Sequence, residues 1–276
     1  MKIDRTDITR FRVSSSDKII EKDVVAIEEP LQIDLIQNNQ QQTYSITMRT
    51  PGNDNYLACG LLFAEGVISC ADDIESMQVS KVDEVVNANL IEVTISSSVI
   101  LDLESSSRRL NSHASCGICG KTSLKALLLN NPRKQRTLES NLETEQISKV
   151  ISALSQQSLF SGTGGSHVAG VVYESKLQGN IELDFSQVNC FEDVGRHNAL
   201  DKLIGYELIE NNLERAGVII LSGRVGFELV QKVVMAGFST IIALGAPSDL
   251  AIKAANQFDV TLIGFAKNHQ YNLYTF

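Results

Sequence analysis

The chain has 276 residues, of which 43% are hydrophobic and 21% are charged, a balance typical of a globular protein with a substantial core. Its formal net charge of -9 argues against a nucleic-acid partner, because phosphate backbones bind to basic surfaces. The charge leaves room for a small phosphorylated ligand, which needs only a few cations and backbone N–H groups.

The chain begins with MKIDRTDITRFRVSSSDK, which contains no apolar segment and mixes acidic with basic residues. That pattern is typical of neither a secretory signal nor a transit peptide, and no apolar run approaches the ~18 residues of a membrane helix. We therefore expect a cytoplasmic protein with no membrane partner. In the cytoplasm its five cysteines are expected to be reduced; they are Cys59, Cys70, Cys116, Cys119 and Cys190.

Alternating apolar and polar residues predict strands in the first third of the chain. The strand patterns are VVAIEEP, LQIDLIQ and TYSITMRT, with NNQQQ as a turn between the last two, and MQVSKV and LIEVTIS as a further pair. The segment NDNYLACGLLFAEGVI has helical spacing and follows a break at residues 50–52, with Asn53 or Asp54 as its cap. We predict a small β-rich domain over residues 1–112.

A polar, serine-rich stretch over residues 102–115 reads DLESSSRRLNSHAS and marks the predicted domain junction. After it, KTSLKALLLN and TEQISKVISALSQQSLF have helical spacing. The last quarter alternates the short apolar runs GVIILS, TIIALG and VTLIGFA with the helical patterns FELVQKVVMAGF and LAIKAANQF. Because this order indicates a parallel sheet with crossover helices, we predict a mixed α/β fold, with an α/β domain over residues 113–276.

Ligands of parallel sheets collect at the carboxyl ends of the strands, and here those ends carry glycines and cations. The first end has Ser222, Gly223 and Arg224, and the second is GAPSD at 245–249. The third comprises Phe265, Ala266, Lys267, Asn268, His269 and Gln270. Glycine permits close backbone approach, and a following helix N-terminus offers N–H groups to a phosphate. None of the three matches an established nucleotide-binding motif, so a purely structural turn is the alternative for each.

Two further loops have the composition of a binding site. The first, SGTGGSH, lies between a helix and the strand VAGVVYE and contains Thr163, Gly164, Gly165 and His167. The second, FEDVGRHNALDKLIG, places Arg196 and His197 at a helix entrance, with Glu192, Asp193, Asn198, Asp201 and Lys202 around them. A charged run is usually a solvated helix face, but Gly-Arg-His-Asn at the entrance favours a ligand site. The alternative is that the two histidines are hydrogen-bonded core residues.

Residues 113–121 read HASCGICGK, and this cysteine pair allows three chemistries. A zinc site normally needs a second such pair or an upstream His-x-Glu, and His113 is the first histidine of the chain. A disulfide shuttle places CxxC at a rigid helix start, whereas small residues flank this pair. A sulfur carrier needs an exposed thiolate near cations, which are Arg108, Arg109, Lys121 and Lys125 here. The spacing alone leaves all three open.

Several segments together resemble the formate dehydrogenase accessory sulfurtransferase (FdhD) family. They are SCGICGK, FSGTGGSHVAG, EDVGRHNALDKLIG, SGRVGFELVQK and the closing APSDLAIKAA, VTLIGF and YNLYT. With EEPLQI and RTPGNDNYLACGLLFAEGVI, the resemblance extends from about residue 28 to the end. The segment EDVGRHNALDK is its most specific part, whereas CxxC by itself is not specific.

The resemblance implies a sulfur carrier that takes persulfide sulfur from a cysteine desulfurase. The implied acceptor is the cofactor of formate dehydrogenase, molybdenum bis(molybdopterin guanine dinucleotide) or its tungsten counterpart. Cys116 would carry the persulfide, Cys119 would assist it, and residues 265–270 would bind the cofactor. The implied fold is cytidine-deaminase-like without the zinc site, and the implied assembly is a homodimer. We expect the loops around Gly164, His167, Arg196, His197 and Arg224 to hold the phosphorylated cofactor as well.

The chain departs from the family pattern at two positions, Gly226, where the family often has serine, and Lys267, where it often has arginine. Each departure removes a donor, a hydroxyl in the first case and a planar guanidinium fork in the second. Two other classes of function are kept as alternatives. One is a chaperone that binds the cofactor without catalysis and uses its cysteines as metal ligands, and the other is a zinc-dependent hydrolase.

Overall fold

The computed structural model describes residues 4–13, 17–82, 85–101, 133–140, 142–177, 179–267 and 270–275. Twelve strands and six α-helices lie in this part of the chain, which confirms the mixed α/β class. The predicted domain boundary and the helix predicted after the cysteine pair fall outside the described residues. The boundary and the cytidine-deaminase-like description therefore stay predictions.

The strands form three sheets. The first pairs β1 (Arg5–Val13) with β2 (Lys18–Ala26). The second has the order β4-β3-β6-β5 and contains β3 (Glu29–Gln37), β4 (Gln40–Arg49), β5 (Ile74–Val82) and β6 (Val85–Ile95). The third has the order β12-β11-β10-β9-β7-β8 and contains β7 (His167–Leu177), β8 (Asn180–Asp193), β9 (Gly217–Leu221), β10 (Thr240–Ala243), β11 (Thr261–Lys267) and β12 (Gln270–Thr275).

The helices follow the predicted patterns closely. They are α1 (Asp54–Ala64), α2 (Thr144–Ser155), α3 (Ser158–Thr163), α4 (Arg196–Ile209), α5 (Phe227–Met235) and α6 (Asp249–Gln257). The pattern predicted as one helix from TEQIS to SLF is divided into α2 and α3, because Gln157 has an extended backbone (φ -70°, ψ 126°). No helix in the described ranges is long and apolar enough to cross a membrane.

The six-stranded sheet forms as the last quarter of the sequence predicts. Strands β9, β10 and β11 are parallel neighbours, with α5 and α6 as the crossovers between them. Every residue of β9 and of β10 is buried, as expected for strands covered on both faces. Strand β7 runs antiparallel to β9, and the polar strands β8, β1 and β12 were not among the predicted elements.

The four-stranded and six-stranded sheets share one hydrophobic core. It contains Ile33 and Ile91 from the four-stranded sheet and Ile219 and Ile241 from the six-stranded sheet. Helices α1 and α4 lie between the sheets and cross at two glycines, so that a Cβ atom on Gly60 would lie 1.9 Å from the carbonyl oxygen of Asp201. This backbone contact places the start of α4 against the four-stranded sheet.

Candidate functional site

The predicted site lies at the edge of the six-stranded sheet where β9, β10 and β11 end. These strands run parallel, so their carboxyl ends meet at one edge. Because β7 is antiparallel to β9, its first residue, His167, lies at that edge too, opposite Asp193 at the end of β8. Helix α4 begins nearby with Arg196. The fold thus brings together segments that are far apart in the sequence.

Glycines allow the segments at the carboxyl ends of the strands to pack with their backbones in close contact. A Cβ atom on Gly223 would lie 2.9 Å from Nδ1 of His167, so a larger residue would displace that imidazole. A Cβ atom on Gly245 would lie 2.5 Å from the carbonyl oxygen of Gly223. The hydroxyl of Ser222 accepts a hydrogen bond from a backbone N–H of β7 at 2.8 Å. Ser222 and Gly223 therefore shape the edge, while Arg224 is exposed on it.

Four basic side chains form what we call the basic cluster: His167, Arg196, His197 and Arg224. Burial lowers the pKa of His167, and the nearby charges of Arg196, Arg224 and His197 lower it further. The Nε of Arg196 is buried and has no hydrogen-bond partner within the described part of the chain. Buried donors are seldom left unpaired, and a guanidinium matches the oxygens of a phosphate or carboxylate. The cluster is therefore suited to an anionic ligand.

Two polar residues beside the basic cluster were not predicted. Glu228, in the first turn of α5, places Oε2 2.9 Å from Nε2 of His197, and this contact orients the imidazole. Ser166, next to His167, has a buried hydroxyl without a partner among the residues described. The sequence could have identified Glu228 as a site residue, because it lies in the first turn of the helix that follows SGRVG. Its contact with His197 could not be predicted, because it depends on the fold.

The run EDVGRHNALDK is divided between the basic cluster and the protein interior. The carboxylate of Glu192 accepts hydrogen bonds from two backbone N–H groups in the first turn of α3, at 3.2 and 2.6 Å. Asp193 and Lys202 form a fully buried ion pair at 2.7 Å. Asp201 pairs with Lys232 at 2.7 Å, and burial raises the pKa of Asp201 although Lys232 opposes the shift. Only the Arg-His pair of this run belongs to the cluster.

The glycine loop after α3 forms a turn that leads to His167. Gly164 has a φ of +62°, the left-handed conformation that commonly ends a helix. The hydroxyl of Thr163 donates to the carbonyl of Leu159 at 2.7 Å and accepts from the N–H of Gly165 at 3.1 Å. These bonds stabilise the turn itself. A direct contact of Thr163, Gly164 or Gly165 with a ligand stays a prediction.

Phe265 has an unusual backbone at the third strand end. Its φ is +51°, which is rare for a bulky residue, and 43% of its surface is exposed. Its N–H donates to the carbonyl of Gly245 at 3.1 Å, which ties it to the neighbouring strand end. A strained conformation with an exposed ring at a ligand edge points to a functional constraint.

The other described residues of the segment 265–270 lie where β11 and β12 pair antiparallel. Ala266 is 2% exposed and packs in the core, so only its backbone is available to a ligand. Lys267 pairs with Gln270 across the hairpin. A shallow cavity of about 320 Å³ is lined by Phe265, Lys267, Gln270, Tyr271 and Asn272. Asn268 and His269 lie outside the described residues, and their predicted roles stay predictions.

Comparison with known proteins identifies the family of this chain. The sequence model of the FdhD/NarQ family matches residues 26–276. The chain belongs to this family. It is similar to the sulfur carrier protein FdhD of Thermoplasma acidophilum, with 36% identity over 92% of this chain and 85% of the relative. Its identity to the sulfur carrier protein FdhD of Sulfurisphaera tokodaii is 35%, over 96% of this chain and 94% of the relative.

A solved structure shares the fold. It is the crystal structure of a protein assigned as a formate dehydrogenase accessory protein from Desulfotalea psychrophila, with a TM-score of 0.69 and 20% identity. The match covers 99% of this chain and 97% of the other. The fold described above is therefore shared with this solved structure.

The predicted sulfur-carrying pair, Cys116 and Cys119, lies outside the described residues. Among the thiols that the structure does describe, Cys59 and Cys190 have pKa values raised to about 12, chiefly by burial. The thiolate is the nucleophilic form of cysteine, so these two are poorly suited to sulfur chemistry at neutral pH.

The chain returns to the described region at the opposite edge of the six-stranded sheet. The N–H of Arg136 donates to the carbonyl of Gly237 at 3.0 Å, and the hydroxyl of Ser239 donates to the carbonyl of Arg136 at 2.9 Å. Gly237 and Ser239 come just before β10, whereas the basic cluster lies beyond the carboxyl ends of the strands. Arg136 is thus bonded at the amino-terminal end of β10, whereas the basic cluster lies at the carboxyl ends of the strands.

In the described ranges, no group of three or more His, Cys, Asp or Glu side chains is arranged to hold a metal ion. His167 and His197 are members of the basic cluster, and His197 already contacts Glu228. A zinc site built from His113 and the cysteine pair would fall outside the described residues, so elemental analysis has to decide it.

Proposed function

We propose that this chain is a sulfur carrier that receives persulfide sulfur from a cysteine desulfurase and passes it to the guanine-dinucleotide cofactor of formate dehydrogenase. The observation that carries the proposal is the basic cluster, with the unpaired Nε of Arg196, at the carboxyl edge of a parallel sheet. The names of the relatives, sulfur carrier protein and formate dehydrogenase accessory protein, support the same role.

The sulfur acceptor in this proposal is a substrate, molybdenum bis(molybdopterin guanine dinucleotide) or its tungsten counterpart. Its diphosphates fit the basic cluster, because the guanidinium groups of Arg196 and Arg224 can each donate two parallel hydrogen bonds to phosphate oxygens. The exposed ring of Phe265 offers a flat surface for a guanine base. The helix N-terminus at Arg196 adds N–H groups and a partial positive charge.

The sulfur step is assigned to Cys116. Its thiolate attacks the outer sulfur of the desulfurase persulfide, a new sulfur–sulfur bond forms on Cys116, and the desulfurase cysteine leaves as a thiolate. The outer sulfur only changes partner, so no oxidant is needed. Cys119 is the second thiol, which assists onward transfer. The raised pKa values of Cys59 and Cys190 support the assignment of sulfur transfer to the Cys116–Cys119 pair, since neither Cys59 nor Cys190 supplies much thiolate at neutral pH.

Trapping the persulfide tests the proposal. After incubation with a cysteine desulfurase and cysteine, we expect the intact mass of the parent to rise by about 32 Da, one sulfur atom. Cys116→Ala should abolish the adduct, whereas Cys119→Ala should retain it. Cys190→Ala is the matched control, because it removes a thiol of raised pKa, and it should also retain the adduct.

Peptide mapping of the trapped adduct gives the decisive result. An adduct that survives Cys116→Ala and disappears with Cys119→Ala would mean that the two roles are reversed. A parent protein that binds GDP but never acquires the adduct would favour the cofactor-binding chaperone over the sulfur carrier.

A further inference from the structure

Thr50, the residue after β4, contacts the segment that leads to Arg196 and His197 of the basic cluster. It is 2% exposed, and all three of its polar groups are bonded to that loop or to α4. Its N–H donates to Oδ2 of Asp193 at 3.1 Å, and its hydroxyl accepts from the N–H of Val194 at 3.1 Å. Its carbonyl accepts from Nζ of Lys202 at 2.8 Å. The sequence suggests only a chain break at this position.

Thr50 is itself held in place by its two neighbours in the chain, Arg49 and Pro51. The preceding residue, Arg49, is 1% exposed, and its guanidinium forms a bidentate contact with the carboxylate of Asp54, with both hydrogen bonds at 3.0 Å. Arg49 also donates to Oδ1 of Asn89 in β6 at 3.0 Å. The following residue, Pro51, disfavours a helical backbone at Thr50. These contacts make Thr50 a fixed point between β4, β6 and α1.

The segment 193–198, from the end of β8 to the first turn of α4, is bonded to this fixed point. Asp193 accepts from the N–H of Gly195 at 2.8 Å and from Nδ2 of Asn198 at 3.2 Å, in addition to its bond with Thr50. The same amide of Asn198 donates to the carbonyl of Met48 in β4 at 2.7 Å. The four-stranded sheet thus supports the loop on both sides of the Arg-His pair.

We infer that Thr50 is a positioning residue for Arg196 and His197, and this inference rests on the proposed function of the basic cluster. Ligand-binding side chains have to be held to within about 0.5 Å, which requires a supporting layer of hydrogen bonds. Removing the hydroxyl of Thr50 leaves the N–H of Val194 unpaired two residues before Arg196, so the start of α4 loosens. Thr50 touches no ligand and acts through the loop.

Two variants of one residue test the inference. Thr50→Val removes the hydroxyl and keeps the shape, whereas Thr50→Ser keeps the hydroxyl. With GDP as the probe, titration calorimetry at a temperature where every variant is folded should show about tenfold weaker binding for Thr50→Val. Thr50→Ser should bind nearly as tightly as the parent. Parent-like affinity for Thr50→Val, in a protein whose Arg196→Ala variant has lost binding, would overturn the inference.

A matched control separates positioning from general stability. Tyr173→Phe removes a buried hydrogen bond to Glu207, 2.8 Å long, at the amino-terminal end of β9. We expect it to lower thermal stability and to leave GDP affinity unchanged. If Tyr173→Phe weakened GDP binding as much as Thr50→Val, the effect would reflect stability and the positioning role would be refuted.

Arg196→Ala distinguishes failure of the inference from failure of the proposed function. If the parent does not bind GDP, or Arg196→Ala binds it as tightly as the parent, the proposed cofactor site is wrong. Hydrogen–deuterium exchange over residues 193–200 then decides the role of Thr50. Faster exchange there in Thr50→Val than in Thr50→Ser or Tyr173→Phe supports positioning, and exchange equal to that of the parent refutes it.

Discussion

His167 reports on the charge of the basic cluster. Its pKa is lowered first by burial and then by Arg196, Arg224 and His197, while Asp193 acts in the opposite direction. Folding therefore favours the neutral imidazole, so the associated stability is complete above the ordinary histidine pKa and is lost as the pH falls through the lower folded-state pKa. A bound phosphate would reverse the local charge balance and raise the pKa of His167.

This reversal predicts that GDP binding takes up a proton. The affinity should rise as the pH falls from about 8 to about 6, by a factor of about three or more, because the bound state has the higher histidine pKa. Calorimetry in buffers of different ionisation enthalpy measures the proton uptake directly. The phosphate of GDP also titrates near pH ~6, so His167→Asn is the necessary reference. Equal pH dependence in the parent and in His167→Asn would show that the histidine does not face the phosphate.

Residues of one charged motif have different roles in this fold. Glu192 binds the first turn of α3 and Asp193 pairs with Lys202, whereas Arg196 keeps an unpaired donor beside Gly223. Composition identifies such a run as unusual but does not separate these roles. The separation depends on which partners the fold brings within hydrogen-bonding distance.

At the level of elements, the crossing of α1 and α4 positions the site. A Cβ atom on Gly205 would lie 1.9 Å from the carbonyl oxygen of Tyr56, which leaves no space for a side chain. Gly226, at which the sequence predicts a departure from the family pattern, is different. It caps α5 with φ -95°, and nothing lies within 4 Å of a Cβ atom placed on it.

The two glycines therefore form a matched pair of substitutions. Gly205→Ala should lower the free energy of unfolding by at least about 2 kcal/mol, because the helices must move apart. Gly226→Ser should leave it unchanged or raise it slightly, since serine is a better N-cap than glycine. Urea denaturation measures both. A Gly205→Ala variant as stable as the parent would show that the helices are not in backbone contact.

At the scale of the whole molecule, one core and one set of polar contacts join the two larger sheets. The core continues from Ile33 to Ile241, and the buried pair of Asp193 and Lys202 is bonded to Thr50 of the first part of the chain. The four-stranded sheet packs on α1, α1 packs on α4, and α4 packs on the six-stranded sheet. The predicted division of the chain into two domains therefore does not imply two independently folding units.

This coupling predicts a single cooperative unfolding transition. Differential scanning calorimetry should give one peak whose calorimetric and van't Hoff enthalpies agree. Gly205→Ala, which weakens the junction, should move that peak to lower temperature without dividing it. Two separate peaks in the parent would mean that the shared core does not couple the sheets.

The sequence by itself determined the parts of this protein that depend on local patterns. The period of two in LQIDLIQ, the helical spacing in FELVQKVVMAGF and the buried runs GVIILS and TIIALG each correspond to an element of the structure. The turn at Asn38 and Asn39 also follows from local chemistry, since asparagine tolerates the positive φ found there. The parallel arrangement of the strands in the last quarter was predictable because helices alternate with short apolar runs there.

Only the tertiary structure decided which distant residues meet. The antiparallel placement of β7 brings His167 to Gly223, and the crossing at Gly60 and Gly205 brings Thr50 to Asp193. Strands β1, β8 and β12 were missed because their sequences are polar and half-exposed, although Ile181, Leu183 and Phe185 of β8 do alternate with polar residues. Their pairing partners supply the stability. Hydrophobic periodicity is a property of neighbours in the chain, whereas hydrogen bonds and ion pairs between elements depend on the packing of the complete fold.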